Sequence, residues 1–257
     1  MRIAHSSAVG MTVSSDALRL ATLLQLSSSL LPTGNFSYSQ GFEQAVHQGW
    51  VRDEAQAFDW IRSHWSQWFA PVELGVLARC MQLPCGHWRQ WDQWFCASRD
   101  ARQAREETFQ LGSALRRWLQ GLHLADQDLT AVDVRQSFDW LCNYPERPSA
   151  PVAFAACARV LGLDCREACL AWGWSWLENQ VQCAVRIIPL GQTSGQRLLR
   201  RLIGHTVASA DDAATHSPSP PPCAADATCA SPPGGFAPLA AIAGMRHERQ
   251  YSRLYRS

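Results

Sequence analysis

The stretch from Asp164 to Ile187, with the sequence DCREACLAWGWSWLENQVQCAVRI, decides the fold class. Asp164 is a typical helix N-cap, no proline interrupts the stretch, and Pro189 marks its end. Trp172, Trp174 and Trp176 alternate as in a strand, but this alternation covers only a small part of a long helical run. A helix that is apolar on several sides and lies buried inside a bundle fits the pattern better.

Apolar residues also recur at helical steps elsewhere between Ala17 and Arg201. Asp53 is placed to cap one helix, and Pro71 to occupy the first turn of the next. The sequence has no β-branched runs joined by Asn-Gly turns. It therefore predicts an all-α fold, a single helical-bundle domain of about ten helices. We predict helices from Ala17 to before Pro32, at 37–47, after Asp53, after Pro71, and at 88–97, 101–122, 135–142, 152–161 and 164–187.

Composition divides the chain into four parts. Residues 1–16 are expected to be a flexible N-terminus, and residues 17–209 form the helical domain. Residues 210–235 are rich in Pro, Ala and Ser, which favours a disordered, mobile linker. Residues 236–257 are again dense in apolar, aromatic and charged side chains. A long linker before such a segment predicts a C-terminal docking tail, which becomes ordered on binding to this fold or to a partner.

The basic residues exclude several classes of function. All 23 of them are arginine, so the chain lacks the lysine that reaches the phosphates in a P-loop and the lysine of a Schiff-base enzyme. The formal net charge is +1, which provides no field to hold nucleic acid or an anionic membrane.

Apolar patterning and cysteine placement indicate the compartment. Arginines interrupt every apolar run before it reaches the roughly 18 residues that span a bilayer. Residues 1–16 lack the apolar run of a signal peptide. The ten cysteines lie within amphipathic segments rather than on short loops, as expected in a reducing environment. We therefore expect a cytoplasmic protein that binds neither nucleic acid nor membrane.

Several cysteines and histidines are candidate metal ligands. Cys80, Cys85 and His87 lie close together but lack a second pair at zinc-finger spacing. Cys165 and Cys169 share a helix face, where free cysteine usually behaves as a buried apolar residue. The linker residues with ligand side chains could capture a metal ion only transiently; they are His216, Cys223 and Cys229.

Signals for catalysis are weaker still. There is no Gly-x-Ser-x-Gly nucleophile motif, and adjacent carboxylates such as Glu106 and Glu107 point apart on a helix. We therefore predict no catalytic residue and no metal ligand, and we interpret the chain as a non-enzyme.

Three segments are too particular for simple connections. Leu31–Gly41, with the sequence LPTGNFSYSQG, places two glycines, a proline and two aromatic residues at a helix junction. Ile188–Gln192 is a second junction, and Met245–Tyr255 belongs to the tail. Glycines allow a positive φ or close backbone approach, and Ser37 or Ser39 can cap a helix. From the residues alone, ordinary turns with a fraying end explain these segments as well as a functional role does.

Together these segments resemble the urease accessory protein F (UreF) family. Leu31–Glu43 is similar to the motif Leu-Pro-x-Gly-x-Phe-Ser-Tyr-Ser-x-Gly-x-Glu, and Arg186–Gln192 to the Pro-Leu-Gly-Gln signature. Met245–Ser257 resembles the closing Met-x-His-Glu and Tyr-Ser-Arg-Leu-Phe motifs. Two differences stand out: residues 210–235 form a longer Pro-rich insert, and Tyr255 replaces the usual phenylalanine. The resemblance runs from about residue 23 to the C-terminus, apart from the insert.

The resemblance implies a function. Members of the family are all-α, form homodimers and are not enzymes. They join the accessory protein D, called H in some organisms, and recruit the GTPase accessory protein G. The complex couples GTP hydrolysis to nickel insertion into apo-urease, so this resemblance implies no tightly bound cofactor, and nickel is handled by the complex. A nickel-holding metallochaperone, a stand-alone hydrolase or thiol enzyme, and a GTPase-activating role remain alternatives.

Residue roles follow from the same resemblance. Residues expected to bind partners are Arg186, His247, Glu248, Tyr251, Arg253 and Tyr255, since Tyr and Arg make large, orientable interface anchors. Residues expected to shape the junctions that receive or adjoin the tail are Pro32, Gly34, Phe36, Tyr38, Gly41, Pro189, Gly191 and Gln192.

Overall fold

The computed structural model of the chain describes residues 14–99, 101–124, 129–215 and 234–256. These ranges contain eleven α-helices and no β-strand, which confirms the all-α prediction. The helices are α1 (Ser15–Ser27), α2 (Phe42–His47), α3 (Glu54–His64), α4 (Gly75–Gln82), α5 (Trp88–Ala97), α6 (Arg102–Gly121), α7 (Val132–Asn143), α8 (Ala150–Val160), α9 (Cys165–Ile187), α10 (Gln192–Thr215) and α11 (Pro238–His247).

Helix α9 is the centre of the bundle. Asp164 caps it by accepting a hydrogen bond from the backbone N of Glu167 (2.8 Å), while the Glu167 side chain accepts one from the backbone N of Asp164 (2.9 Å). Trp172 and Trp176 are buried, and α9 packs against α1, α2, α4 and α10. Burial on several sides confirms the helical interpretation of the tryptophan run.

The prediction that Pro71 starts a new helix is wrong. Trp65–Leu74 forms a π-helical segment that joins α3 directly to α4, and Pro71 lies inside it. The wider π turn accepts a residue that has no N–H to donate.

The predicted helix at 37–47 is shorter in the structure. Gln40 and Gly41 have φ values of 52° and 84°, so only a 3₁₀ turn (Asn35–Ser37) precedes α2. A left-handed backbone is incompatible with a continuous right-handed helix, and α2 therefore begins at Phe42.

Two predicted domain boundaries shift. Helix α10 continues to Thr215, so residues 210–215 are helical rather than linker; Ala210 is buried and Asp211 pairs with Arg166. The rest of the predicted linker, 216–233, lies outside the described residues. At the other end α1 already begins at Ser15, and residues 1–13 also lie outside the described part. No helix in the described ranges is long and apolar enough to cross a bilayer.

Candidate interaction site

The junction between α1 and α2 is held by contacts with α6 and α9. The Tyr38 hydroxyl donates to the side-chain oxygen of Gln110 on α6, and the Tyr38 carbonyl accepts from Asn179 Nδ2 on α9 (2.8 Å). Burial of Tyr38 raises the pKa of its phenol. Gly34 supplies a positive φ of 75° just before the 3₁₀ turn. These contacts fix the path of the chain into α2, whereas Pro32 and Phe36 remain exposed.

The C-terminal segment docks on this junction. Helix α11 packs against α2 and α6, and its small residues Ala240, Ala243 and Gly244 face Gly41. A Cβ on Gly41 would lie 3.0 Å from the Ala243 Cβ and 3.1 Å from the Ala240 carbonyl oxygen. Gly41 therefore serves both the turn and the close approach of the tail helix.

One carboxylate gathers the residues that follow α11. Glu43 lies on α2, and its side chain is only 6% exposed. Its oxygens accept from the backbone N of Leu254 (2.8 Å) and of Tyr255 (3.0 Å), and one lies 3.0 Å from His247 Nε2. Gln250 Nε2 adds a longer contact of 3.4 Å. The tail therefore folds around a buried acid of the bundle.

The last described residues complete the docking. The backbone N of Arg256 donates to the carbonyl of Ser37 (2.8 Å), inside the first junction. The Tyr255 ring is buried beside Cys183 of α9, and burial raises the pKa of its phenol while the charge of Arg186 opposes that rise. The prediction that the tail and the junction adjoin is therefore supported by contacts between them.

The predicted partner-binding residues fall into two groups. His247 and Tyr255 are buried against the bundle, so in this conformation they hold the tail in place. Tyr251 and Arg186 are exposed. The remaining two residues, Glu248 and Arg253, belong with the first group because they also help to hold the tail. Glu248 accepts from the backbone N of Gln103 (3.1 Å), and Arg253 donates to carbonyls of the tail itself, including Gln250 (2.8 Å).

The second junction is more ordinary. Pro189, Gly191 and Gln192 are exposed at the turn between α9 and α10, and Ile188 is buried beneath it. A Cβ added to Gly191 would have no neighbouring atom within 4 Å in the described part of the chain, and the φ of Gly191 is not positive. The turn between α9 and α10 therefore depends on Pro189, which ends α9, more than on Gly191.

The tail presents its large apolar side chains outward. Leu239, Ile242 and Met245 are 59%, 41% and 47% exposed and lie along one side of α11. Phe236, Tyr251 and Leu254 are exposed as well. Beside Ile242 and Met245 lies an open groove of about 510 Å³ that is also lined by arginines and one glutamate, namely Arg102, Arg246, Arg249 and Glu248. Exposed apolar residues concentrated on one docked segment are typical of a protein-binding surface.

Charged groups are also buried beneath the tail helix. A cavity of about 80 Å³ between α11 and the bundle is lined by Gln40, His64, Arg99 and Glu107, among others. Burial lowers the pKa of His64 to about 3 and raises the pKa of Glu73, which pairs with Arg99 at 3.0 Å. Within the described ranges, no three His, Cys, Asp or Glu side chains are grouped so as to hold a metal ion.

Sequence reasoning missed Glu43 as the centre of this site. In the sequence, Glu43 is only the last residue of the first motif. It follows Gly41, which has a positive φ in the structure, by two positions. Carboxylates at the start of a helix are common on surfaces, because the helix dipole favours them there. Nothing in the sequence says that residues more than 200 positions away cover this one.

Comparison with known proteins agrees with the family motifs. A family profile described as UreF matches residues 51–203. The urease accessory protein UreF of Chromohalobacter salexigens is 39% identical over 249 residues, which cover 94% of this chain and 96% of that protein. The UreF protein of Cupriavidus necator is 36% identical over 244 residues, 93% of this chain and 98% of that protein.

A fused relative is similar over nearly the whole chain. The bifunctional urease accessory protein UreEF of Bordetella bronchiseptica is 39% identical over 261 residues, covering 98% of this chain and 55% of that protein. This chain thus spans about half of the fused relative and nearly all of the other two. By its motifs, its matching profile and its relatives, the chain belongs to the UreF family of urease accessory proteins.

Proposed function

We propose that this chain is a non-enzymatic scaffold in urease maturation. It joins the accessory proteins D (or H) and G, and it couples GTP hydrolysis on G to nickel insertion into apo-urease. Membership of the family establishes an accessory protein of urease, and the finer role rests on the resemblance of the motifs. The bifunctional UreEF relative supports a chain that works alongside another accessory protein.

The observation that carries the proposal is the outward apolar side of α11. A helix that docks through Ala240 and Ala243 while Leu239 and Ile242 face solvent leaves its larger side chains for another protein. Their removal from water in a complex would supply binding free energy in proportion to the area covered. We further propose that the chain is cytoplasmic and binds its partner there.

We also propose a homodimer. Helix α1 packs on α9 and buries Leu26, yet Leu20 and Leu24, which share a side of α1, are both 59% exposed. Leu18 and Leu30 are 61% and 89% exposed. A second copy of the chain would cover these leucines in a symmetric contact.

The decisive experiment is size-exclusion chromatography with light scattering on this protein alone and mixed with its cognate D and G proteins, GTP and nickel. A stepwise complex that activates apo-urease supports the scaffold. Ile242→Asp should weaken the complex at least tenfold, because it places a charge in the apolar surface. Val207→Asp is the matched control, since Val207 is also exposed but lies on α10.

Two results would contradict the proposal. A folded protein that forms no complex with D or G is not a scaffold for them. Equilibrium dialysis that finds stoichiometric, tightly held nickel in the isolated protein would favour the metallochaperone alternative instead.

A further inference from the structure

Glu43 is a buried carboxylate whose described donors all come from the C-terminal segment. The backbone N–H groups of Leu254 and Tyr255 point at its two oxygens, the His247 ring lies 3.0 Å away, and Gln250 Nε2 adds a longer contact. A carboxylate removed from water is stable only when such donors replace its hydration. The acid and the tail therefore stabilise each other in this conformation.

Apolar packing alone holds the tail helix weakly. The face of α11 that meets the bundle consists mainly of small side chains, Ala240, Ala243 and Gly244. Small side chains bury little apolar area, and burial free energy scales with that area. The hydrogen bonds to Glu43 therefore act together with the buried Tyr255 ring to hold residues 236–256 on the bundle.

We propose that the Glu43 carboxylate is the latch that holds residues 236–256 on the bundle and so positions the outward apolar side of α11 for a partner protein. Glu43 is covered by the tail and cannot touch a partner that binds the outer side, so it is a positioning residue. This inference rests on the scaffold function proposed above.

The first test follows the tail in the isolated full-length protein by hydrogen exchange and mass spectrometry. In Glu43→Gln, which keeps the side-chain shape, the amides of residues 247–256 should exchange about tenfold faster, because charge-assisted acceptors are lost. Exchange in α9 should stay unchanged, which shows that the bundle remains folded. Asp139→Asn is the matched control: it removes the charge of an exposed carboxylate on α7 and should leave the amides of Leu254 and Tyr255 protected.

The second test measures binding kinetics with immobilised D, and then with D and G together. A latch changes the fraction of molecules whose tail is in the binding conformation. Glu43→Gln should therefore lower the association rate about tenfold and leave the dissociation rate nearly unchanged. A residue in direct contact with the partner would instead raise the dissociation rate.

The outcomes separate the latch from the scaffold function. Unchanged tail exchange in Glu43→Gln overturns the latch whatever the binding data show. Faster tail exchange with normal association overturns the positioning role while the scaffold stands. A wild-type protein that binds neither D nor G overturns the scaffold and the positioning role with it. If Glu43→Gln does not fold, His247→Leu removes one donor from the tail side and should produce the same faster exchange and slower association.

Discussion

Gly112 on α6 lies directly against the backbone carbonyl of Pro148, at the entrance to α8. A Cβ on Gly112 would lie 2.0 Å from the Pro148 oxygen and 2.9 Å from the carbonyl carbon of Ser149. These neighbours are backbone atoms, so no side-chain rotation relieves the overlap. The contact fixes the distance between α6 and α8, whose residues are buried apart from Arg159.

Gly112→Ala should therefore lower the free energy of unfolding by about 3 kcal/mol or more, because the two helices must separate. Urea denaturation of both proteins measures the difference. Gly204→Ala is the control, because a Cβ on this α10 residue would meet no atom of the described ranges within 4 Å beyond the backbone of its own helix. It should stabilise the protein by about 1 kcal/mol, because alanine favours helix more than glycine does. Equal effects from the two substitutions would contradict the close approach.

Gly41→Ala and Gly34→Ala separate backbone strain from tail docking. Both glycines have a positive φ, so each substitution should cost about 1–2 kcal/mol in strain. Only at Gly41 does the new Cβ meet α11, within 3.0 Å of Ala243. Gly41→Ala should therefore lower the free energy of unfolding by about 2 kcal/mol more than Gly34→Ala does. It should also speed hydrogen exchange, and only in the tail. Similar exchange in the two variants would show that α11 does not depend on this contact.

The buried His64 should make the free energy of unfolding fall at acidic pH. Burial lowers its pKa from the ordinary 6.5 to about 3, and the charge of Arg99 acts in the same direction. Below pH 6.5 the unfolded chain binds a proton that the folded chain does not, so stability falls as the pH falls towards 3. His64 should lower the free energy of unfolding by about 2 kcal/mol between pH 7 and pH 5.

His64→Leu should remove that component and flatten the dependence of the unfolding midpoint on pH. Leucine is close to histidine in volume and leaves no buried polar atom, whereas His64 Nδ1 has no hydrogen-bond partner among the residues that the structure describes. The exposed His205, changed to Gln, provides the comparison. The same pH slope in wild type and His64→Leu would show that another group is responsible.

The reactivity of Cys183 should report on the tail. Burial raises its pKa to about 12, and Tyr255 lies beside it. In the native wild-type protein, Cys183 and the fully buried Cys157 should react with iodoacetamide at least about a hundredfold more slowly than in urea. Tyr255→Ala should speed the labelling of Cys183 by about tenfold and leave Cys157 protected. Equal acceleration at both cysteines would indicate loosening of the whole bundle.

The helical class and several helix ends follow from local sequence. Asp164 and Pro189 bracket α9, and Asp53 caps α3, because capping and proline act through neighbouring backbone groups. The same local rule failed at Pro71, where the structure widens into a π-helix. Propensity describes an isolated segment, and packing of α3 and α4 against the bundle overrode it.

The contacts between the motifs depend on the tertiary structure. The sequence predicted that the first junction and the tail adjoin, and it supplied Gly41, His247 and Tyr255 as candidates. It did not show that Glu43 accepts from both Leu254 and Tyr255, or that Tyr255 packs beside Cys183. Local rules act over a few residues, whereas the burial of an acid by a distant segment depends on how the whole bundle places α2 and α11.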